Sequence, residues 1–202
     1  MDVDDSLAER RAEALADVYA PAEDSRLLAE AAVGRVDRED RVLEVGVGSG
    51  FVAERVAEAT GAGVVGSDLN PAACRAARGR GVDTVRADLV APFRDGAFDV
   101  VMFNPPYLPT PPEVEREDWM ERALSGGPDG RRVVDPFLDA VGRVLAPGGR
   151  VYLLVSTLTG IEAVRQRARA NGLAVAPEPL CEASFPFERL VVLEITVENK
   201  TS

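Results

Sequence analysis

The sequence of 202 residues contains no histidine, a single lysine and only two cysteines. Without histidine the chain cannot form a Ser-His-Asp triad or a Cys-His pair, and it has no imidazole that could act as a general base. Cys74 and Cys181 lie far apart in the sequence, so they predict neither a disulfide framework nor a Cys/His zinc site. We therefore expect no metal site, and any catalysis must use other groups.

Basic residues are outnumbered by acidic ones. The chain has 23 Lys and Arg against 34 Asp and Glu, which gives a net charge of -11. Such a charge disfavours non-specific binding to nucleic-acid phosphates, because that binding depends on Lys and Arg. In a salt-rich cell the argument weakens, since salt screens surface charges. The preference for Arg over Lys fits a GC-rich genome, a salt-adapted surface, or both.

Long apolar runs are also missing. No stretch approaches the roughly 18 apolar residues that cross a bilayer. The acidic start MDVDDSLAER differs from a secretory signal, which is basic and then apolar. With this length and a hydrophobic fraction of 46%, we expect one domain, residues 1–202, in the cytoplasm.

The sequence does contain an alternation of short apolar runs and helix-like stretches, which predicts an α/β domain with a largely parallel sheet. Helices are expected at about 6–16, 24–33 and 161–170. Five strands are predicted, and they begin at Arg41, Gly63, Val82, Phe98 and Gly148.

The C-terminal part follows a different pattern. Two β-rich runs, 173 to about 181 and 188 to about 198, are joined by a connection that is too short for a crossover helix. They must therefore pair antiparallel or not at all. Residues 108–129 contain many prolines, glycines and charges, which predicts a long loop over one end of the sheet.

A glycine-rich loop follows the first predicted strand, in the stretch LEVGVGSG at 43–50. Gly46, Gly48 and Gly50 would let a ligand approach the backbone N–H groups at the start of the next helix. The spacing is G-x-G-x-G, which differs from the G-x-G-x-x-G of a dinucleotide site, and tight turns alone would also explain these glycines.

Acidic residues end or adjoin three of the predicted strands. Asp68 comes about 20 residues after the glycine loop, where a carboxylate can accept from both ribose hydroxyls. Asp88 could accept from an exocyclic adenine amine while Leu89 packs against the ring; a turn cap is the alternative for Asp88. Glu44, just before the loop, either faces the ligand or tethers the loop. Together these residues predict an adenosine-type cofactor.

The stretch VMFNPPY, at 101–107, ends a buried-looking strand with an asparagine and two prolines. Proline lacks an N–H, so Pro105 and Pro106 cannot continue the sheet. The side-chain oxygen of Asn104 and the carbonyl of Pro105 can then accept the two N–H bonds of one planar NH2 group, with Tyr107 against its flat neighbour. Such acceptors stabilise a nitrogen that gains positive charge without any titrating base. A proline-rich strand exit with no catalytic role is the alternative.

These motifs resemble those of class I S-adenosylmethionine-dependent methyltransferases that modify planar amines or amides. VYAPAEDSRLL at 18–28 is similar to the leading motif of the HemK-like branch of eukaryotes and archaea. That branch methylates the glutamine side chain of the GGQ motif in class 1 translation release factors. SGGPDGRRVVDPFL at 125–138 resembles the segment that follows NPPY in this branch, and the similarity runs from about 19 to 198.

The resemblance implies a Rossmann-like, seven-stranded, mostly parallel sheet in the order 3-2-1-4-5-7-6, with strand 7 antiparallel and helices on both faces. It implies that the N-terminal helices, within residues 1–35, close over the cofactor. It also implies an N5-glutamine methyltransferase that uses S-adenosylmethionine and releases S-adenosylhomocysteine. The residues implied for cofactor binding are Tyr19, Glu23, Asp24, Ser25, Glu44, Gly46, Gly48, Gly50, Asp68, Leu69, Asp88, Leu89 and Asn104, and those implied for catalysis are Asn104, Pro105, Pro106 and Tyr107.

Members of this branch work with a small zinc-binding activator protein, so the resemblance implies a heterodimer. In the expected strand order, residues 82–88 form an edge strand to which a partner strand could add. An edge protected by its own Asp83 and Arg86 is the alternative.

Other functions remain open from sequence alone. N6-adenine methylation of DNA or RNA would suit the same pair of acceptors, although neither a basic channel nor a recognition domain for a flipped base is visible. Methylation of protein lysine is a second rival, although a tetrahedral ammonium gains less from a planar clamp. A non-catalytic nucleotide-binding or scaffold subunit is a third, and the presence of Asp68, Asp88 and Asn104 argues against it.

Overall fold

The computed structural model describes residues 22–111, 113 and 119–198. Six helices lie within these ranges: α1 (Glu23–Val33), α2 (Phe51–Thr60), α3 (Pro71–Gly79), α4 (Trp119–Leu124), α5 (Val134–Val144) and α6 (Ile161–Ala170). The strands there are β1 (Arg41–Val45), β2 (Gly63–Asp68), β3 (Asp83–Arg86), β4 (Phe98–Phe103), β5 (Leu145–Ser156), β6 (Leu173–Val175), β7 (Cys181–Ser184) and β8 (Arg189–Val197). The helix predicted at 6–16 lies outside the described residues.

One sheet holds all eight of these strands. Its order is β3-β2-β1-β4-β5-β8-β6, and β7 also pairs with β8. The strands β1 to β5 are parallel, whereas β8 runs antiparallel to β5, β6 and β7. The predicted Rossmann-like order, with the last strand antiparallel and inserted beside β5, is thus confirmed.

Helices cover both faces of this sheet. Along β4 the buried side chains alternate between two apolar clusters, because successive residues of a strand point to opposite faces. Val101 and Phe103 pack in the cluster that contains residues of α5 and α6. Val100 and Met102 pack in the cluster that contains residues of α1 and α2. The central strands are therefore buried on both sides, and their carboxyl ends are the exposed part of the sheet where a site can form.

Three local predictions need correction. The run predicted at 173–181 is not one strand: β6 ends at Val175 and β7 begins only at Cys181, because Pro177 and Pro179 lie between them and proline cannot donate to a ladder. In the described part of the chain the sheet therefore has eight strands and not the seven expected. The region 108–129 is not only a loop, since it contains the six-residue helix α4. The fifth strand begins at Leu145, three residues before the predicted Gly148, through an irregular pairing with Phe98.

No helix in the described part of the chain combines the length and apolar character needed to cross a membrane.

Candidate active site

A cavity of about 670 Å³ lies at the carboxyl ends of β1, β2 and β4. This volume is within the range of ordinary small-molecule sites. Most of the residues predicted for the site line it: Asp24, Ser25, Glu44, Gly46, Gly48, Asp68, Leu69, Asp88, Leu89, Asn104, Pro105, Pro106 and Tyr107. The parallel sheet thus brings together residues that are up to 83 positions apart in the sequence.

The glycine loop between β1 and α2 forms the floor of this cavity. Gly46 and Gly48 have φ angles of +64° and +52°, a region that side chains with a Cβ rarely adopt. A Cβ on Gly46 would also lie 3.2 Å from the ring of Phe103. Gly46 is thus packed closely against Phe103, whereas a Cβ on Gly48 would meet only the Gly46 carbonyl at 3.9 Å, so a ligand can approach the loop at Gly48.

Gly50, in contrast, does not line the cavity. Its φ angle is +84°, and a Cβ there would lie 2.8 Å from the Cα of Ala77 in α3. The third glycine of the motif is explained by the close packing of α3 against the start of α2.

Glu44 points from β1 towards the start of α2. It is 3% exposed, and its Oε2 accepts a hydrogen bond of 2.8 Å from the backbone N–H of Ala53. Burial raises the pKa of Glu44 well above its usual value of 4.5, and the nearby charge of Asp68 adds to this effect. Of the two roles predicted for Glu44, the structure shows the tethering contact, on a side chain that also lines the cavity.

Asp68 closes the glycine loop from the end of β2. Its Oδ2 accepts from the backbone N–H of Gly48 at 3.0 Å, and its Oδ1 accepts from the N–H of Asn70 at 2.8 Å. Burial raises the pKa of Asp68, although these hydrogen bonds lower it in part. A carboxylate has about four lone-pair positions, so both oxygens can still accept from a ligand.

Beyond the ends of β2 and β3, two leucines, Leu69 and Leu89, line the cavity together with Asp88, which is exposed. Leu69 lines the cavity although its side chain is 43% exposed. Leu89 has a φ angle of +47°, which for a leucine costs about 1 kcal/mol or more. Strain of this kind is often retained at binding sites, and here it accompanies a leucine that lines the cavity.

The NPPY corner leaves β4 directly into the cavity. The Oδ1 atom of Asn104 is buried and has no hydrogen-bond partner among the described residues. A buried acceptor without a partner is costly, so this atom is suited to a ligand that donates. The hydroxyl of Tyr107 donates to Oδ2 of Asp24 over 3.5 Å, and both residues are buried.

Only some of the α1 residues that were predicted for the site line the cavity. Asp24 and Ser25 line it, whereas Glu23 is exposed and forms a 3.9 Å ion pair with Arg26. Tyr19 lies outside the described residues.

Sequence reasoning missed the part of the wall that follows NPPY. Trp119 and Arg122 of α4 and the side chain of Arg132 line the cavity. Residues 108–110 pair with 124–127 through three backbone hydrogen bonds, and a Cβ on Gly130 would lie 2.6 Å from the carbonyl of Tyr107. The single tryptophan, in a stretch that otherwise looks like a loop, was the signal that could have indicated this wall.

The residues that line the cavity fit S-adenosylmethionine. Carboxylates at the ends of β2 and β3 suit ribose hydroxyls and an adenine amine, two leucines offer apolar contact for a ring, and the glycine loop provides room. Among the described residues, no cluster of three or more His, Cys, Asp or Glu side chains could hold a metal ion.

Comparison with known proteins agrees with this geometry. A family model described as a methyltransferase domain matches residues 42–125. A Methanocaldococcus jannaschii protein named as a protein N5-glutamine methyltransferase is 35% identical over 183 residues, covering 88% of this chain and 90% of that protein. The Mus musculus methyltransferase HEMK2 is 37% identical over 174 residues, covering 79% of this chain and 81% of that protein.

A solved structure extends this likeness to three dimensions. The E. cuniculi Mtq2–Trm112 complex, described as responsible for the methylation of the eRF1 translation termination factor, matches with a TM-score of 0.73 and 29% identity. The match covers 91% of this chain and 100% of that chain. Identity above 30% over most of both sequences, on a Rossmann-like sheet with this cavity, means that the chain belongs to the HemK-like class I S-adenosylmethionine-dependent methyltransferases.

Proposed function

We propose that this chain methylates N5 of the glutamine in the GGQ motif of a class 1 translation release factor, in the cytoplasm. In this proposal residues 1–202 form one methyltransferase domain, which works as the catalytic subunit of a heterodimer. Two observations outside the site support it: a similar protein is named for N5-glutamine methylation, and a similar solved complex is described as methylating a termination factor.

The observation that carries the proposal is the buried Oδ1 of Asn104, which has no partner among the described residues. It lies on the wall of the cavity beside Pro105, whose ring removes the N–H that could otherwise compete for nearby acceptors. A primary amide offers two N–H donors in one plane, which matches an acceptor pair formed by this oxygen and the Pro105 carbonyl. A glutamine side chain therefore suits the corner better than a lysine ammonium does.

The proposed roles on the acceptor side follow from this match. S-adenosylmethionine, when bound, would supply an electrophilic methyl group and leave as S-adenosylhomocysteine, and the amide nitrogen would release one N–H proton to water. An amide nitrogen is a poor nucleophile because its lone pair is delocalised into the carbonyl. Asn104 and Pro105 hold both N–H bonds, so they orient the nitrogen and stabilise the positive charge that it gains. Pro106 stiffens the corner, and Tyr107 packs against the plane of the amide.

On the cofactor side, the proposed roles use the remaining walls of the cavity. Asp68 binds the ribose hydroxyls, and the glycine loop at Gly46 and Gly48 lies against the cofactor. Asp88 accepts from the adenine amine between Leu69 and Leu89. The proposed contacts of the N-terminal segment, which closes over the cofactor, come from Tyr19, Asp24 and Ser25, whereas Glu23 does not line the cavity and is left out of this set.

The proposed partner is a small zinc-binding activator that adds to the edge of the sheet at β3. This edge strand is only four residues long, and Val85 on it is 39% exposed. An unpaired edge with an exposed apolar side chain is a ready template for a partner strand.

The test mixes the purified chain and activator with methyl-labelled S-adenosylmethionine and one of three acceptors. These are a class 1 release factor, the same factor with the GGQ glutamine replaced by alanine, and oligonucleotides. We expect label on the unmodified factor alone. Label on the alanine variant or on nucleic acid would overturn the glutamine assignment.

A further inference from the structure

The helix α4 forms part of the same cavity as the NPPY corner. Leu108, the residue after NPPY, donates its N–H to the carbonyl of Leu124 at 3.0 Å, and it forms a bridge with Ser125. The C-terminal end of α4 is thus attached to the chain that leaves the corner. Trp119 and Arg122, which line the cavity from α4, are therefore on its acceptor side.

Charge is divided unevenly around the cavity. Asp24, Glu44, Asp68 and Asp88 line it from α1 and from the ends of β1, β2 and β3. The basic side chains that line it come from residues that follow NPPY, Arg122 and Arg132. An acceptor that enters over β4 therefore meets arginines, although the whole chain carries a net charge of -11.

The two arginines differ in the hydrogen bonds that they already form within the protein. Arg132 donates to the carbonyl and the hydroxyl of Ser125 at 3.3 and 3.2 Å, so it holds the segment after NPPY in place. The guanidinium carbon of Arg122 lies 5.5 Å from the ring centroid of Trp119. This cation–π contact is not a hydrogen bond to an acceptor atom, so the guanidinium N–H groups remain able to donate elsewhere. No hydrogen bond or ion pair joins Arg122 to any residue in the described part of the chain.

These features match a ligand that is rich in carbonyl oxygens. The guanidinium of Arg122 is exposed to the cavity side of α4, and it carries five N–H donors and no acceptor, so it can donate to carbonyl oxygens of a bound peptide. A peptide whose side-chain amide is held at Asn104 carries main-chain carbonyls at the adjacent peptide bonds.

We infer that Arg122, held against Trp119, binds main-chain carbonyls of the acceptor peptide beside the methylated glutamine. Arg122 is thus a specificity-determining residue for a peptide acceptor. This inference rests on the proposed function, since it takes the acceptor to be a glutamine within a polypeptide.

Kinetics of Arg122→Ala with activator and release factor test the inference. The KM for the release factor should rise by roughly ten-fold or more, because hydrogen bonds to a charged donor are among the stronger ones. The kcat should stay within about two-fold, and the Kd for S-adenosylmethionine should not change, because a uniform binding contact is lost. Arg55→Ala, an exposed arginine of α2 outside the cavity, is the matched control and should leave all three constants unchanged.

A second variant, Trp119→Leu, removes the stacking surface and should raise the same KM by a few-fold, with Tm measured to confirm folding. The KM ratio between Arg122→Ala and the unmodified chain should hold at high salt, because a carbonyl carries no net charge to screen. A ratio that disappears at high salt would indicate an acidic side chain of the acceptor and would overturn the main-chain assignment. Weaker binding of S-adenosylmethionine by Arg122→Ala would show that Arg122 contacts the cofactor, and this result would also overturn the main-chain assignment.

Failure of this inference is distinguishable from failure of the proposed function. If the unmodified chain labels the release factor and Arg122→Ala has an unchanged KM, only the inference is wrong. If the unmodified chain does not label the factor at all, the proposed function is wrong and the inference falls with it.

Discussion

Glu44 illustrates how one side chain links the sheet to the glycine loop. Its carboxylate is buried and caps the first turn of α2 at Ala53, while Gly50, the residue before the helix, has no side chain that could do so. Burial holds the pKa of Glu44 well above 4.5. The folded protein therefore binds a proton at Glu44 more tightly than the unfolded chain does, and ionisation of Glu44 costs stability.

Replacing Glu44 by Gln should change how stability depends on pH. In the unmodified chain, the free energy of unfolding contributed by Glu44 is largest below pH 4.5 and falls as pH rises through the elevated pKa of the folded state. Gln does not titrate, and its side-chain oxygen can still accept from Ala53. The Tm of Glu44→Gln relative to the unmodified chain should thus increase with pH across this window. A relative Tm that stays constant, or that decreases with rising pH, would contradict the account.

Single residues of the site differed in how far the sequence could predict them. Asp68 and Asn104 directly end or follow parallel strands, and such ends meet at one edge of a sheet, so their convergence on a cavity was predictable. The tether from Glu44 to Ala53 and the contact between Tyr107 and Asp24 were not, because each joins elements whose distance depends on packing. Arg122 could not be predicted as a site residue, because α4 is a short helix among prolines and charges and shows no clear hydrophobic periodicity.

At the scale of elements, the glycine loop serves two separate purposes. Gly46 and Gly48 shape the cavity, whereas Gly50 lets α3 approach the start of α2. Asn70 supports this contact, because its side chain accepts from the N–H of Ala72 and so caps α3. The motif thus positions a helix as well as a ligand.

Gly50→Ala should therefore impair folding rather than cofactor contact. The new Cβ would lie 2.8 Å from the Cα of Ala77 and would require a φ of +84°, so we expect a loss of roughly 1–3 kcal/mol in the free energy of unfolding. Urea unfolding measures the loss. Gly63→Ala is the control, since a Cβ there meets nothing within 4 Å. Equal stability of the Gly50 variant and the control would refute this role.

Most strands could be predicted from their apolar runs, and α1 and α6 could be predicted from their helical patterns. β1, β2, β4 and the antiparallel β8 followed from apolar runs, because strands inside a sheet that is covered on both faces are rich in apolar residues. The separation of β6 from β7 depends on which stretch of β8 each one pairs with, 195–197 for β6 and 189–192 for β7, and this is decided by tertiary packing. Pro177 and Pro179 are the sequence signal for the break between the two strands, because proline cannot donate to a ladder.

At the scale of the whole molecule, the sheet ends in an edge at β3, and no strand within the described ranges covers this edge. Leu69 and Val85, near or on this edge, are each about two-fifths exposed. Together with the similarity to a complex of two proteins, this edge supports the proposed activator interface.

The isolated chain should accordingly be poorly soluble or inactive, and co-expression with a zinc-containing activator should restore it. Val85→Asp should reduce recovery of the complex in co-purification, because it places a charge in the proposed interface. Val197→Asp is the matched control, since that valine is 46% exposed at the end of β8. Full activity of the monodisperse isolated chain would eliminate the hypothesis of an activator.

In the proposed function, Asn104 accepts a hydrogen bond from the amide nitrogen of the acceptor and does not hold the cofactor. The most direct measurement is methyl transfer to the release factor by Asn104→Ala, with binding of S-adenosylmethionine measured separately by calorimetry. The account predicts that kcat falls by on the order of 10²-fold or more while the Kd for S-adenosylmethionine is retained, because one transition-state acceptor is lost. An unchanged kcat, or a loss of cofactor binding as large as the loss of turnover, would contradict it.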